Sequence, residues 1–125
     1  MLFHAKNGTV SLGSGTMDYI RFGTGDRTLL MLPGLGDSLR SVKGAAVPMA
    51  VMYREFARKF TVYSFSRIDP MPTGYTIRDM ARDLAQAMEE LGIKRADVFG
   101  VSMGGMIAQW LAIDHPEKVD RLILA

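Results

Sequence analysis

The stretch that decides the fold is Ala96-Asp97-Val98-Phe99-Gly100-Val101-Ser102-Met103-Gly104-Gly105. Residues 96–101 are mostly apolar, with Asp97 the exception, and predict a short buried β-strand. Residues 103–115 predict a helix, because Pro116 disfavours helical backbone in the residue before it. The junction fits the pattern G-x-S-x-G. We expect a sharp turn that strains the serine backbone and lifts its hydroxyl clear of the sheet, with Gly100 and Gly104 leaving the space that the turn needs.

Serine is also a common N-cap residue, so Ser102 could simply begin the helix. The two glycines at fixed offsets after a buried strand favour the strained turn instead. The helix N-terminus would then place amide dipoles beside the hydroxyl, where an anion is stabilised.

A second glycine-containing loop agrees with this interpretation. Leu32-Pro33-Gly34-Leu35-Gly36-Asp37-Ser38 follows a continuous apolar run at residues 28–32. A flexible loop with Gly34 and Gly36 can turn a backbone N–H toward Ser102. With the N–H of Met103, the N–H of Leu35 would complete a two-donor oxyanion hole. Taken alone, the loop is equally consistent with an ordinary connection.

The rest of the chain alternates strands with helices. We predict a hairpin, three further strands and two further helices; they span residues 9–12 and 17–22 (the hairpin), 28–32, 61–65 and 119–125 (the strands), and 48–60 and 77–91 (the helices). Thr76 is the expected N-cap of the last of these helices, and Gly92 its stop. This order predicts a single α/β domain over residues 1–125. Its sheet is mostly parallel, doubly wound and three-layered, with an antiparallel hairpin at the N-terminus.

The chain resembles the N-terminal half of the α/β-hydrolase family. The resemblance rests on residues 32–38, 74–84, 100–105 and 112–119, is specific, and covers essentially the whole chain. It implies strands one to six of an eight-stranded sheet, Ser102 as nucleophile, and the amides of Leu35 and Met103 as the oxyanion hole. It also implies hydrolysis of a small acyl substrate (an ester, thioester or amide) through an acyl-enzyme, with no metal or organic cofactor.

There are two departures from the family pattern. Pro33-Gly34 stands where many members have His-Gly. The family also carries its catalytic acid and histidine on later strands, which are not among these 125 residues. We therefore expect an incomplete domain without the cap region and C-terminal strands, and a very weak catalyst by itself. A second chain or a C-terminal half would supply the histidine and the Asp or Glu.

None of the residues present is expected to replace that histidine. His115 lies 13 residues along the helix from Ser102, nearly 20 Å at about 1.5 Å per residue. His4 lies on or before an edge strand. Carboxylates of ordinary pKa at Asp37 and Asp69 are too weak to act as the general base for a serine. We expect Lys43 and Arg67, near the same rim, to be solvated.

The amino-acid composition excludes several classes of function and partner. Fifteen Lys and Arg against thirteen Asp and Glu give a net charge of +2 without a basic run, so neither nucleic acid nor a membrane surface is an expected partner. The absence of cysteine excludes disulfides, thiolate catalysis and zinc–thiolate sites. The first residues lack the apolar core of a secretion signal, and no apolar run approaches the length of a membrane span, so a cytoplasmic location is expected.

Several alternatives remain beside the hydrolase. A non-catalytic module of the same fold could bind a small ligand or a protein. A nucleotide site is disfavoured, because Leu39 stands where G-x-G-x-x-G needs its last glycine. Ser102 disfavours the dehalogenases and epoxide hydrolases of this fold, which use an aspartate. The methionines at positions 49, 52, 71 and 103 suggest an apolar pocket or a core role, and an uncovered last strand suggests self-association.

Overall fold

The computed structural model describes residues 4–33 and 46–125. Within them, six strands form one sheet in the order β1-β2-β4-β3-β5-β6. The strands are β1 (Lys6–Leu12), β2 (Gly15–Phe22), β3 (Arg27–Leu32), β4 (Phe60–Phe65), β5 (Ala96–Gly100) and β6 (Val119–Leu124). β1 pairs antiparallel with β2, and β2 with β4, whereas β4, β3, β5 and β6 run parallel. The predicted fold class, a mostly parallel sheet with an antiparallel hairpin, is confirmed.

Four α-helices connect the strands in the described part of the chain: α1 (Ala46–Met52), α2 (Arg54–Lys59), α3 (Ile77–Glu90) and α4 (Met103–Asp114). A 3₁₀ helix, Pro116–Lys118, precedes β6. The single helix predicted over residues 48–60 was wrong. Tyr53 leaves the helical conformation at φ −110° and ψ 31°, which divides the segment in two. Ala50 and Ala57, one on each side of this break, are both buried. Phe60 begins β4 rather than ending a helix.

The start of α3 follows the predicted capping pattern. The backbone N–H of Asp79 donates to the Thr76 hydroxyl at 3.0 Å, and the backbone N–H of Thr76 donates to the Asp79 carboxylate at 2.9 Å. This reciprocal capping box satisfies two amide donors that would otherwise lack partners at the helix N-terminus. It fixes where the chain enters α3 after the long connection from β4.

The sheet carries a core on each face. Side chains of alternate residues divide between two buried clusters, one containing Leu30, Val98 and Leu111, the other containing Leu29, Val62 and Phe22. Because successive strand residues point to opposite faces, this division places helices in separate layers above and below the sheet. No helix of the described segments is long and apolar enough to cross a membrane.

Candidate active site

Ser102 lies between the end of β5 and the start of α4, in a conformation that few non-glycine residues adopt. Its φ is 55° and its ψ is −119°. Such a backbone costs about 1–3 kcal/mol and persists only where the surroundings enforce it. The side chain is exposed and makes no capping hydrogen bond to the helix. Ser102 therefore does not act as an ordinary N-cap, and its hydroxyl is left available.

The sharp turn from β5 through Ser102 into α4, here called the elbow, contains two glycines, Gly100 and Gly104, that lie against backbone. A Cβ atom at Gly104 would collide with the carbonyl oxygen of Leu32 and would lie 2.6 Å from that of Pro33. A Cβ atom at Gly100 would lie 2.6 Å from the carbonyl oxygen of Gly104. Backbone cannot move aside as the tip of a side chain can, so both positions require glycine at this close packing of α4 on β3 and β5.

Backbone hydrogen bonds hold the turn in place. The N–H of Val101 donates to the Leu32 carbonyl at 3.1 Å, and the N–H of Gly104 donates to the Val101 carbonyl at 2.9 Å. Met103 is the first residue of α4, and the first amides of a helix have no acceptor within the helix. The N–H of Met103 is therefore free of the helical ladder, as an oxyanion donor must be.

The other predicted donor and its loop cannot be placed. Gly34, Leu35 and Gly36 lie outside the residues that the structure describes, as do Asp37 and Lys43. The end of β3 that leads into this loop is placed: the carbonyls of Leu32 and Pro33 both lie against Gly104. The oxyanion role of Leu35 stays a prediction.

A cavity of about 50 Å³ lies beside the elbow helix, between α3, α4 and the ends of β3 and β4. Its walls are mainly apolar and include Met17, Met80 and Ile107, together with Gly104. Two of the methionines suggested by the sequence do not line it: Met71 is 38% exposed, and Met103 packs against the core. The side chains of Met49 and Met52 lie outside the described part.

One buried carboxylate, that of Asp83, faces this cavity. It accepts a hydrogen bond from the hydroxyl of Tyr75. Burial raises the pKa of Asp83 above its ordinary value, while the Tyr75 hydrogen bond and the charge of Arg82 oppose the rise. In the sequence, Asp83 stands out only as part of residues 74–84, one of the stretches that carry the family resemblance. Its burial was not predicted, because an acidic residue in an amphipathic helix usually lies on the solvated face.

Neither histidine lies near Ser102. His4 is exposed at the start of the described chain, and His115 is the C-cap of α4, at the opposite end of that helix from Ser102. The imidazole Nδ1 of His115 lies 3.8 Å from a Glu117 carboxylate oxygen. Asp69 is exposed, and its backbone pairs with Thr16.

Arg67, expected to be solvated, is partly exposed and also lines the cavity. Among the described residues, no group of three or more His, Asp or Glu side chains is placed to hold a metal ion.

The structure also reveals an ionic cluster that the sequence did not predict. It lies at the end of the sheet where the parallel strands begin, whereas Ser102 lies at the end where they finish. Asp97 of β5 is buried and accepts paired hydrogen bonds from Arg27 of β3 and Arg121 of β6. Hydrogen bonds from Arg121 and then Arg27 lower the pKa of Asp97 to about 2, against the opposing effect of burial. Arg27 also pairs with Asp120 at 2.7 Å. The cluster joins three neighbouring strands.

The chain belongs to the α/β-hydrolase fold family, whose model matches residues 27–125. It is 37% identical over 101 residues to the dihydrolipoyllysine-residue acetyltransferase component of the acetoin cleaving system of Cupriavidus necator, covering 81% of this chain and 26% of that protein. It is 30% identical over 130 residues to 3-oxoadipate enol-lactonase 2 of Acinetobacter baylyi, covering 99% of this chain and 46% of that protein.

Among solved structures, Cfl2 from Burkholderia cenocepacia matches with a TM-score of 0.81 at 21% identity, over 96% of this chain and 40% of its own. This likeness shows the shared fold. The chain thus spans less than half the length of each of these three proteins.

Proposed function

We propose that this chain is the nucleophile-bearing part of a serine hydrolase that cleaves an ester, thioester or amide bond through an acyl-serine intermediate. The observation that carries the proposal is the exposed, uncapped Ser102, held at φ 55° where β5 meets α4. Membership of a hydrolase-fold family supports it, as does the lactonase named among the relatives.

The proposed chemistry assigns a role to each group at the elbow. The Ser102 oxygen attacks the substrate carbonyl carbon while a base takes the hydroxyl proton, and the N–H of Met103 donates to the developing oxyanion. The C–O, C–S or C–N bond then breaks, and the leaving group departs with a proton. Water hydrolyses the acyl-serine by the same steps and restores the hydroxyl.

Neither histidine of the chain is placed to act as this base, since both lie far from Ser102. We propose that polypeptide outside the 125 residues supplies the histidine and its acid partner, either as a second chain or as a further part of the same one. Without them, oxyanion donation and binding give only residual catalysis, of the order of 10³ to 10⁴ over water in triad-deleted proteases.

The test uses a fluorophosphonate probe with imidazole added as an external base. We expect slow labelling of Ser102, found by peptide mass spectrometry, with a rate that rises with imidazole concentration. Ser102→Ala should abolish the adduct, whereas Ser14→Ala, at an exposed serine in the hairpin turn, should leave it unchanged. Labelling of Ser102 no faster than that of Ser14 would instead favour a non-catalytic module that binds a ligand or a protein.

A further inference from the structure

The cavity beside the elbow lies between packed elements of the fold, away from the last strand. Its described lining residues come from β2, β3, β4, α3 and α4 and from the segment that follows β4. None of these residues belongs to β6, and Ser102 is not among them. The cavity is therefore a feature separate from the serine hydroxyl, and α3 and α4 enclose it together with the strand ends.

The volume of the cavity limits what it can hold. It measures about 50 Å³. A water molecule needs roughly 10–15 Å³ of such space, so an occupant of about four or five non-hydrogen atoms fits. Met17, Met80 and Ile107 are among the apolar side chains that line it, and methionine adapts readily to the shape of a small apolar group. The body of an occupant is thus a short hydrocarbon chain.

Two side chains of opposite charge interrupt the apolar lining, those of Asp83 and Arg67. Asp83 is 2% exposed, and one of its carboxylate oxygens accepts a hydrogen bond from the Tyr75 hydroxyl. Among the described residues, its ion-pair partner is Arg82, 4.0 Å from the other oxygen, and Arg67 is not within ion-pair distance. Because 4.0 Å is too long for a hydrogen bond, that second oxygen keeps its capacity to accept one.

We propose that this cavity binds a small neutral molecule that carries a primary amide or a hydroxyl group on a short apolar chain. The carbonyl or hydroxyl oxygen of the molecule accepts a hydrogen bond from the Arg67 guanidinium, and its N–H or O–H group donates to the second oxygen of Asp83. The chain of the molecule lies against Met17, Met80 and Ile107. A group that both donates and accepts satisfies both charged side chains at once.

The two charges also disfavour the charged analogues of such a molecule. A carboxylate would be attracted by Arg67 but repelled by Asp83, and an ammonium group would be attracted by Asp83 but repelled by Arg67. In apolar surroundings a charge loses its hydration, so the unfavourable neighbour is costly. The cavity should therefore prefer propionamide to propionate and 1-propanol to propylammonium, although each pair has nearly the same shape. This preference concerns binding and does not depend on Ser102 being a nucleophile.

Nuclear magnetic resonance of the methionine methyl groups tests the binding, with these four compounds as probes. We expect saturable shifts of the Met17 and Met80 signals with propionamide and 1-propanol, at millimolar dissociation constants. Propionate and propylammonium should bind at least ~10-fold more weakly. Met106, exposed on α4 and outside the lining, is the control in the same spectrum. The absence of saturable shifts with the neutral probes would overturn the proposal, as would equal affinity for the charged ones.

Two substitutions test the role of each charge. Asp83→Asn keeps the shape of the side chain, so the affinity for propionate relative to propionamide should rise at least ~10-fold. Arg67→Gln removes the cation, and the affinity for propylammonium relative to 1-propanol should rise by a similar factor. Asp114→Asn makes the same change at an exposed residue of α4 and should leave all four affinities unchanged.

Circular dichroism checks that each variant is folded. Should Asp83→Asn fail to fold, Arg67→Gln decides the matter, because Arg67 is partly exposed and its substitution does not disturb the core. Probe preferences that stay the same as in the parent in a folded variant would overturn the proposal.

Discussion

Ser102 combines a strained backbone, which lowers stability, with an exposed hydroxyl. A positive φ is readily adopted by glycine and disfavoured for serine, yet only serine places a hydroxyl at this junction. The spacing of Gly100, Ser102 and Gly104 after an apolar run was enough to predict this strain. The pattern constrains a few consecutive residues, and local sterics then determine their backbone.

We predict that Ser102→Gly stabilises the protein by about 1 kcal/mol. Relief of a strain of about 1–3 kcal/mol outweighs the extra conformational freedom that glycine gives the unfolded chain. Ser102→Ala removes the same hydroxyl and keeps the strain, so its stability should stay close to that of the parent. Urea unfolding of the three proteins makes the comparison, and equal midpoints for the glycine and alanine variants would refute the assignment of strain.

At the scale of elements, the contact between α4 and the end of β3 depends on one glycine and not on its neighbour. A Cβ atom at Gly104 meets the Leu32 and Pro33 carbonyls, whereas one at Gly105 lies 3.5 Å from its nearest neighbour, the Gly100 carbonyl oxygen. The sequence predicted the need for glycine at position 104 from the motif. It did not predict that position 105 is tolerant, since that depends on which side of α4 faces β3.

This contrast gives a matched pair of substitutions. Gly104→Ala should destabilise the protein by about 2 kcal/mol or more, because backbone must shift to admit the methyl group. Gly105→Ala should be neutral or stabilising by up to about 1 kcal/mol, since alanine is the better helix former and ordinary contact distance is available. Thermal and urea unfolding of both variants provide the measurement. Similar losses in the two would contradict the packing described for Gly104.

Most of the fold followed from local patterns, and what escaped prediction involves neighbours distant in sequence. The capping box at Thr76 needs residues three positions apart. The cluster around Asp97 joins residues 70 and 24 positions away. Those contacts follow from the strand order β3-β5-β6, which residue spacing does not encode. The helix break at Tyr53 was not predicted for a related reason. Apolar residues on both sides of it reach the core, so their spacing resembles that of one continuous helix.

For the molecule as a whole, the Asp97 cluster joins β3, β5 and β6 at the end of the sheet opposite to Ser102, and the pKa of Asp97 predicts how stability depends on pH. The pKa of Asp97 falls from an ordinary value of 3.8 to about 2 in the folded protein. Its contribution is therefore complete above the unfolded-state pKa and is lost as the pH falls through about 2. A shift of this size corresponds to about 2 kcal/mol.

The variant Asp97→Asn keeps the shape of the side chain and removes this titration. At neutral pH its free energy of unfolding should be lower by about 2 kcal/mol, and the gap from the parent should close as both are taken from pH 5 toward pH 2. Comparing the two proteins cancels the contributions of the other carboxyl groups to the pH dependence. One of these is Asp83, whose raised pKa changes stability with pH in the opposite direction. The control variant Asp114→Asn breaks the exposed ion pair with Arg78. It should lower the free energy of unfolding by less than Asp97→Asn does, since water and salt screen this pair. A gap that persists unchanged at pH 2 would show that the charge of Asp97 is not the source of the stability difference.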